Sequence, residues 1–135
     1  GRPEETAETY RDGWVTVGDL ARKDADGHLY IVDRLKDMGI SGGVNIYPRE
    51  VEEVIFRHPE VGDVALIGVA DDRWGEVLKA FVVRRAGSSL DEAALVAALE
   101  GQISRMKLPK YVEFIAQIPR NASGKVLKTA LRARG

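Results

Sequence analysis

The chain has 135 residues, of which 44% are hydrophobic and 30% are charged, a formal net charge of −1 and no cysteine. These values are typical of a globular protein that is large enough to bury a core, and the near-neutral charge gives no basic field to recruit nucleic acid or an anionic membrane. The lack of cysteine excludes disulfides, zinc–thiolate sites and thiol catalysis. No apolar run approaches the ~20 residues of a membrane span. We expect a cytoplasmic protein.

The first third of the chain predicts a loop, a hairpin and a second loop. Residues 1–12 are polar and predict a loop or a short helix. Two β-rich runs flank the turn signal Asp24-Ala25-Asp26-Gly27, so residues 13–34 predict a β-hairpin. Residues 35–48 are rich in glycine and predict a loop.

The rest of the chain alternates between helical and strand-like patterns. Pro48 suits the first turn of a helix, and a capping box at Ser89 and Glu92 predicts the start of a second one. The expected order is helix, strand, strand, helix, strand, helix, with the first helix at residues 48–58, strands at 63–69, 77–84 and 111–119, and the last helix at 126–134. This order predicts an α+β domain, a small sheet with helices packed on its faces, preceded by the β-hairpin.

A single lysine, Lys125, stands in the turn-forming stretch PRNASGKVLK, residues 119–128. A phosphate-binding loop would need glycine where Pro119 stands and Ser or Thr where Val126 stands. A Ser-x-x-Lys pair also fails, because the third residue after Ser123 is Val126. The residues 121–123 form a glycosylation sequon by a short match, and the local pattern by itself leaves an ordinary surface lysine as the simplest interpretation.

Four motifs in order change that interpretation. They are GWVTVGDL at 13–20, DRLKDMGISGGVNIYPREVE at 33–52, GVADDRWGEVLKAFVV at 68–83 and LPKYVEFIAQIPRNASGKVLK at 108–128. Together they resemble the C-terminal portion of adenylate-forming enzymes, most of all the bacterial acyl-CoA synthetases. The resemblance implies two half-reactions: a carboxylate and ATP give acyl-AMP and pyrophosphate, and then the thiol of coenzyme A displaces AMP.

The resemblance implies a role for each matching residue. Lys125 matches the lysine of the adenylation step, and Asp19 and Arg34 match residues that bind the ribose and phosphate region of ATP. Lys36 matches the hinge about which the small domain rotates. The alternative interpretations are a turn residue for Asp19, a surface ion pair for Arg34 and a linker residue for Lys36.

Ser41, Gly42 and Gly43 match the loop that enters the site in the thioester step, and their alternative interpretation is a plain glycine turn. Gly39 stands where an apolar β-branched residue is usual, which puts the local strand in doubt. Basic side chains could carry charge toward the phosphates of coenzyme A, or simply form a solvated face; they are Lys107, Lys110, Lys128, Arg132 and Arg134.

The resemblance also implies a division of the chain. Residues 1–35 match the end of a large N-terminal adenylation domain, and residues 36–135 match the complete mobile C-terminal domain. The phosphate loop and the acyl pocket lie in that larger domain, which would also hold most of the Mg²⁺ ligands, so we expect the fragment to be inactive by itself. Two alternatives stay open: a domain that loads a carrier protein, and a non-catalytic interaction module of the same fold.

Overall fold

The computed structural model describes residues 10–11, 14–34, 37–41 and 43–134. The chain divides into two compact units, one up to Lys36 and one from Asp37 onward, and each is described by itself. Among the described residues, no helix is both long enough and apolar enough to cross a bilayer.

The first unit consists of two antiparallel strand pairs. Its strands are β1 (Tyr10–Arg11), β2 (Trp14–Val15), β3 (Asp19–Lys23) and β4 (Leu29–Arg34). Strand β1 pairs with β2. Strand β3 pairs with β4 on either side of the turn at residues 24–27, which confirms the predicted hairpin. Residues 10–11, predicted as loop or helix, lie in a short strand instead, because Tyr10 and Arg11 find backbone partners in β2.

The turn of the β3–β4 hairpin is organised by Asp24. Its Oδ1 accepts the backbone N–H groups of Asp26 at 3.0 Å and His28 at 2.9 Å, and its Oδ2 accepts the Tyr30 hydroxyl at 2.9 Å. Aspartate commonly caps turns through such local hydrogen bonds. They hold the pKa of Asp24 below its ordinary value of 3.8, the backbone N–H of His28 being the largest cause.

The second unit is a mixed sheet with helices. Its described elements are β5 (Gly39–Ser41), β6 (Val44–Ile46), α1 (Pro48–Phe56), β7 (Val61–Asp71), β8 (Gly75–Arg84), α2 (Glu92–Leu99), a 3₁₀ turn (Arg105–Lys107), β9 (Tyr111–Phe114) and α3 (Lys128–Arg132). The sheet has the order β6–β5–β8–β7, and β9 pairs in parallel with β8. From α1 onward the predicted order of elements is confirmed.

Helices pack on both faces of this sheet because its central strands are apolar on both sides. Successive strand residues point to opposite faces, and Val64 and Leu66 belong to one core cluster whereas Ala65 and Ile67 belong to another. The first cluster includes buried residues of α1 and α2: Val51, Ile55, Leu95 and Leu99. The second includes Phe81 from β8, Leu131 from α3, and Ile118, which lies between β9 and α3. The α+β prediction is thus confirmed.

Three local predictions in the second unit are wrong. The glycine-rich stretch predicted as a loop contains the β5–β6 hairpin, whose strand β6 buries Ile46 in the core and whose strand β5 pairs with β8 at Ser41 and Gly75. Helix α2 is capped by Asp91, whose Oδ1 accepts the N–H of Ala94 at 2.8 Å, and not by a box at Ser89. The strand predicted at residues 111–119 is β9, and it ends at Phe114.

Candidate functional site

Lys125 lies at the end of a closed turn between Arg120 and Val126, which form an isolated antiparallel bridge. The carbonyl oxygen of the Asn121 side chain accepts the backbone N–H of Lys125 at 2.8 Å, the N–H of Ser123 at 3.1 Å and the Ser123 hydroxyl at 2.8 Å. Gly124 has φ +81°, a left-handed conformation that side chains rarely adopt. The turn is therefore held by several internal hydrogen bonds.

A second set of hydrogen bonds joins this turn to the sheet. The guanidinium of Arg120 donates to the carbonyl oxygen of Gly124 at 3.0 Å and to both carboxylate oxygens of Asp63 at 2.9 Å. Such two-pronged contacts fix orientation as well as distance. The Lys125 side chain itself is exposed, and within the described part of the chain its ammonium has no hydrogen bond or ion pair. The turn thus presents one uncompensated positive charge to solvent.

Asp19 and Arg34 come together in the first unit. They are directly opposite each other in the β3–β4 register, and Arg34 Nε lies 3.2 Å from Asp19 Oδ1. The Asp19 side chain is 25% exposed and that of Arg34 is 54% exposed. The structure therefore orients an accessible carboxylate at the start of β3 with a guanidinium beside it.

The predicted thiolation loop is the tip of the β5–β6 hairpin. Ser41 pairs with Val44, so two residues connect the strands, and Gly43 takes φ +81°. Gly43 is exposed. Gly42, and Lys36 at the predicted hinge, lie outside the described residues.

The five basic side chains considered for phosphate binding all face carboxylates. Asp37 pairs with two of them, at 3.4 Å from Lys128 and 3.9 Å from Arg132. Glu113 lies 3.4 Å from Arg134 and also 3.0 Å from Lys79, which is not one of the five. The other pairs are Lys107 with Glu50, at 2.7 Å, and Lys110 with Asp71. These cations form ion pairs within the second unit, and the side chains of Lys110, Arg132 and Arg134 are about half exposed, as a solvated face predicts.

A cleft of about 370 Å³ opens beside the β7–β8 turn, between Trp74, Leu78, Met106 and Pro109. Asp71 supports one wall of this cleft, because its Oδ1 accepts the N–H groups of Arg73 at 3.0 Å and Trp74 at 2.9 Å. Its other oxygen accepts from Lys110, which lowers the pKa of Asp71 and raises the pKa of Lys110.

Among the described residues, Asp24, Asp26 and His28 form a group of three potential metal ligands. The Asp24 carboxylate is already occupied by two backbone N–H groups and the Tyr30 hydroxyl. Mg²⁺ favours six oxygen ligands in near-octahedral geometry, and this donor set does not offer them. The group is a turn, and it does not fit Mg²⁺.

Sequence reasoning missed the residues that support Lys125. Asn121 was considered only as part of a glycosylation sequon, although Asn followed by Ser-Gly is also a local signal for a side-chain-capped turn. Arg120 gave no signal at all, because its partner Asp63 lies 57 residues away in sequence.

Comparison with known proteins gives a consistent result. Residues 50–125 match the family described as AMP-binding enzyme C-terminal domain. A feruloyl-CoA synthase from an Amycolatopsis species is 53% identical over 134 residues, which cover 99% of this chain and 27% of that protein. The medium/long-chain-fatty-acid–CoA ligase FadD8 of Mycobacterium tuberculosis is 44% identical over 139 residues, covering 98% of this chain and 24% of that protein.

Solved structures agree with this comparison. The crystal structure of ATP-bound MatB from Rhodopseudomonas palustris matches with a TM-score of 0.90 at 41% identity, covering 98% of this chain and 27% of that chain. The chain thus spans about a quarter of the length of the relatives that it matches.

Proposed function

Because the chain belongs to the family of AMP-binding enzyme C-terminal domains, we propose that it serves as the mobile C-terminal domain of an ATP-dependent acyl-CoA synthetase. In the proposed reaction a carboxylate attacks the α-phosphate of ATP to give acyl-AMP and pyrophosphate. The thiol of coenzyme A then attacks the acyl carbon and releases AMP. The names of the two relatives, a CoA synthase and a CoA ligase, support this reaction class.

The observation that carries the proposal is the exposed ammonium of Lys125 on its closed turn. Attack at phosphorus builds negative charge on the oxygens between carboxylate and phosphate, and a lysine supplies a compact charge that can lie between them. A turn fixed by Asn121 and Arg120 holds the backbone that carries this side chain in place before the substrates arrive. Preorganised charge stabilises a transition state because little reorganisation is needed during the reaction.

We assign the nucleotide to the first unit. An ionised carboxylate only accepts hydrogen bonds, so Asp19 can accept both hydroxyls of a ribose. The neighbouring guanidinium of Arg34, with its Nε 3.2 Å from Asp19 Oδ1, orients that carboxylate. Arg34 would also lie near the phosphates of the bound nucleotide.

The second half-reaction is assigned to the β5–β6 hairpin. In this proposal the small domain rotates about Lys36, and the turn at Ser41, Gly42 and Gly43 replaces Lys125 at the reacting centre. Glycines at a tip let a narrow pantetheine arm pass close to the backbone.

The division of the chain completes the proposal. Residues 1–35 would be the end of a larger domain, and residues 36–135 the small one. Exposed apolar side chains in the first unit support this, because a neighbouring domain would cover them: Trp14 is 80% exposed, Val17 73% and Leu29 71%.

The decisive experiment separates the two half-reactions in the full-length protein that carries this chain. Lys125→Ala is expected to lower ATP–pyrophosphate exchange by about 10²–10³-fold, the range seen when one preorganised charge-stabilising donor is lost. Thioester formation from supplied acyl-adenylate should stay within about threefold of the original rate, since the lysine leaves the site in that step. The exposed Lys23 at the end of β3 provides a matched control, and Lys23→Ala should leave both rates unchanged. An equal fall of both half-reactions would contradict the role of Lys125.

Three further measurements address the alternatives. The isolated chain should give no ATP–pyrophosphate exchange, and activity there would overturn the division of labour between the domains. Replacing coenzyme A by a carrier protein with a pantetheine arm tests the acceptor: faster thioester formation on the carrier would favour a carrier-loading enzyme. Absence of ATP and coenzyme A binding by the full-length protein would favour a non-catalytic module.

A further inference from the structure

Among the described residues, the β5–β6 hairpin is anchored by Ile46, which is buried in the first core cluster, and it is joined to β8 by little backbone pairing and one long side chain. Between β5 and β8 the described pairing is limited to Ser41 with Gly75. The next residue of β8, Glu76, reaches across to β5, where its Oε2 accepts the backbone N–H of Ile40 at 3.2 Å. The Glu76 side chain is therefore a bridge from the central strand to the hairpin.

Two glycines make room for this bridge. Gly68 in β7 pairs with Leu78, and Ala70 pairs with Glu76, so Gly68 is a diagonal neighbour of Glu76. A Cβ at Gly68 would lie 1.9 Å from Glu76 Oε1 and 2.4 Å from its Cδ. A Cβ at Gly39 would lie 3.1 Å from Glu76 Oε2. Neither glycine has a positive φ, so neither is explained by a left-handed backbone. At both positions glycine provides space for the Glu76 side chain.

We propose that Glu76 is a positioning residue for the thioester step: its carboxylate, lying over Gly68, holds the β5–β6 hairpin on β8 so that the Gly43 turn is correctly placed. The proposal rests on the proposed function, since it requires the hairpin to act on the thiol substrate. It also predicts that a side chain of glutamate length is needed at this position. Asparagine or aspartate is one methylene too short to pass Gly68 and still reach Ile40, whereas glutamine keeps both the length and an acceptor oxygen.

The first test uses the 135-residue chain and needs no catalytic activity. Amide hydrogen exchange at Ile40, followed by NMR, reports directly on the hydrogen bond to Glu76. Glu76→Ala is expected to speed this exchange at least tenfold, and Glu76→Gln to change it less than threefold. Glu53→Ala, which removes an exposed glutamate from α1, serves as the control and should have no effect at Ile40. Exchange at Ile40 that is equally slow after Glu76→Ala would overturn the proposal.

Gly68→Ala gives an independent check through a double-mutant cycle. The added methyl group occupies the position of the Glu76 carboxylate, so this variant alone should speed Ile40 exchange as Glu76→Ala does. In the Glu76→Ala background there is no carboxylate to displace, and Gly68→Ala should add nothing further. Additive effects would overturn the proposed geometry.

The second test uses the full-length protein. Glu76→Ala and Gly68→Ala should each slow thioester formation from supplied acyl-adenylate by about tenfold while leaving ATP–pyrophosphate exchange within twofold. Glu76→Gln should keep the original rate of thioester formation. This result would show that the loss in Glu76→Ala does not come from general unfolding. An equal fall of both half-reactions, or faster Ile40 exchange with no change in thioester formation, would overturn the positioning role. A full-length protein that forms no acyl-adenylate would overturn the proposed function and this role with it, and the Ile40 data would still decide whether Glu76 holds the hairpin.

Discussion

Replacing Asn121 by alanine removes the oxygen that three donors in the Lys125 turn share. Two of the three bonds come from backbone N–H groups, and each such bond contributes about 0.5–1.5 kcal/mol net. The turn is exposed, so water replaces part of the lost bonding and the low end of that range applies. We expect the free energy of unfolding to fall by about 1–2 kcal/mol.

The loss should be visible in the stability of the second unit and not only in the turn. Leu127 donates to the Pro119 carbonyl at 2.8 Å, and α3 begins directly afterwards and buries Leu131. For a domain of this size 1 kcal/mol corresponds to roughly 4 °C in melting temperature, so Asn121→Ala should melt about 4–8 °C lower. Circular dichroism melts and urea titrations of the 135-residue chain measure this shift.

Asn121→Asp is the matched control, because it keeps an acceptor oxygen at the same distance from the backbone. It should lose less than half as much stability as Asn121→Ala. Amide exchange at Lys125 adds a local measure and should become faster in the alanine variant alone. A melting temperature within 1 °C of the original, together with unchanged exchange at Lys125, would refute the account of how the turn is held.

Three further predictions concern the core, a helix cap and acid stability. Phe81 is fully buried, so Phe81→Ala should lower the free energy of unfolding in urea by about 3–5 kcal/mol, and a loss below 1.5 kcal/mol would contradict its central place in the core. Asp91→Ala should cost about 1 kcal/mol and Ser89→Ala less than 0.5 kcal/mol in the same titration, whereas equal losses would refute the assignment of the α2 cap. The hydrogen bond from Lys110 holds the pKa of Asp71 below 3.8, so the stability from this pair is present above that pH and is lost as the pH falls through 3.8 toward the lowered folded value. Thermal melts from about pH 5 to pH 2 should therefore fall less steeply in Lys110→Met, and parallel pH profiles would contradict this origin of acid sensitivity.

The sequence by itself determined the elements whose signals are local. Val51 and Ile55 recur at helical spacing, and both are buried where α1 meets the sheet. The turn at Asp24 stops one strand and starts the next within a few residues. The four ordered motifs indicated the family, which the match to residues 50–125 confirms. The roles assigned to Lys125 and Asp19 within that family stay predictions until the half-reactions are measured.

Only the tertiary structure decided the features that depend on residues far apart in the chain. From the sequence, Gly39 put its strand in doubt and Gly68 was one residue of a predicted strand, but in the fold both leave the space that the Glu76 carboxylate occupies. Arg120 meets Asp63 across 57 residues. The periodicity of neighbouring residues predicts a helix or a strand because those structures are formed by neighbours. The partner of a side chain, and the space beside a glycine, are set by the packing of elements that meet only after the chain has folded.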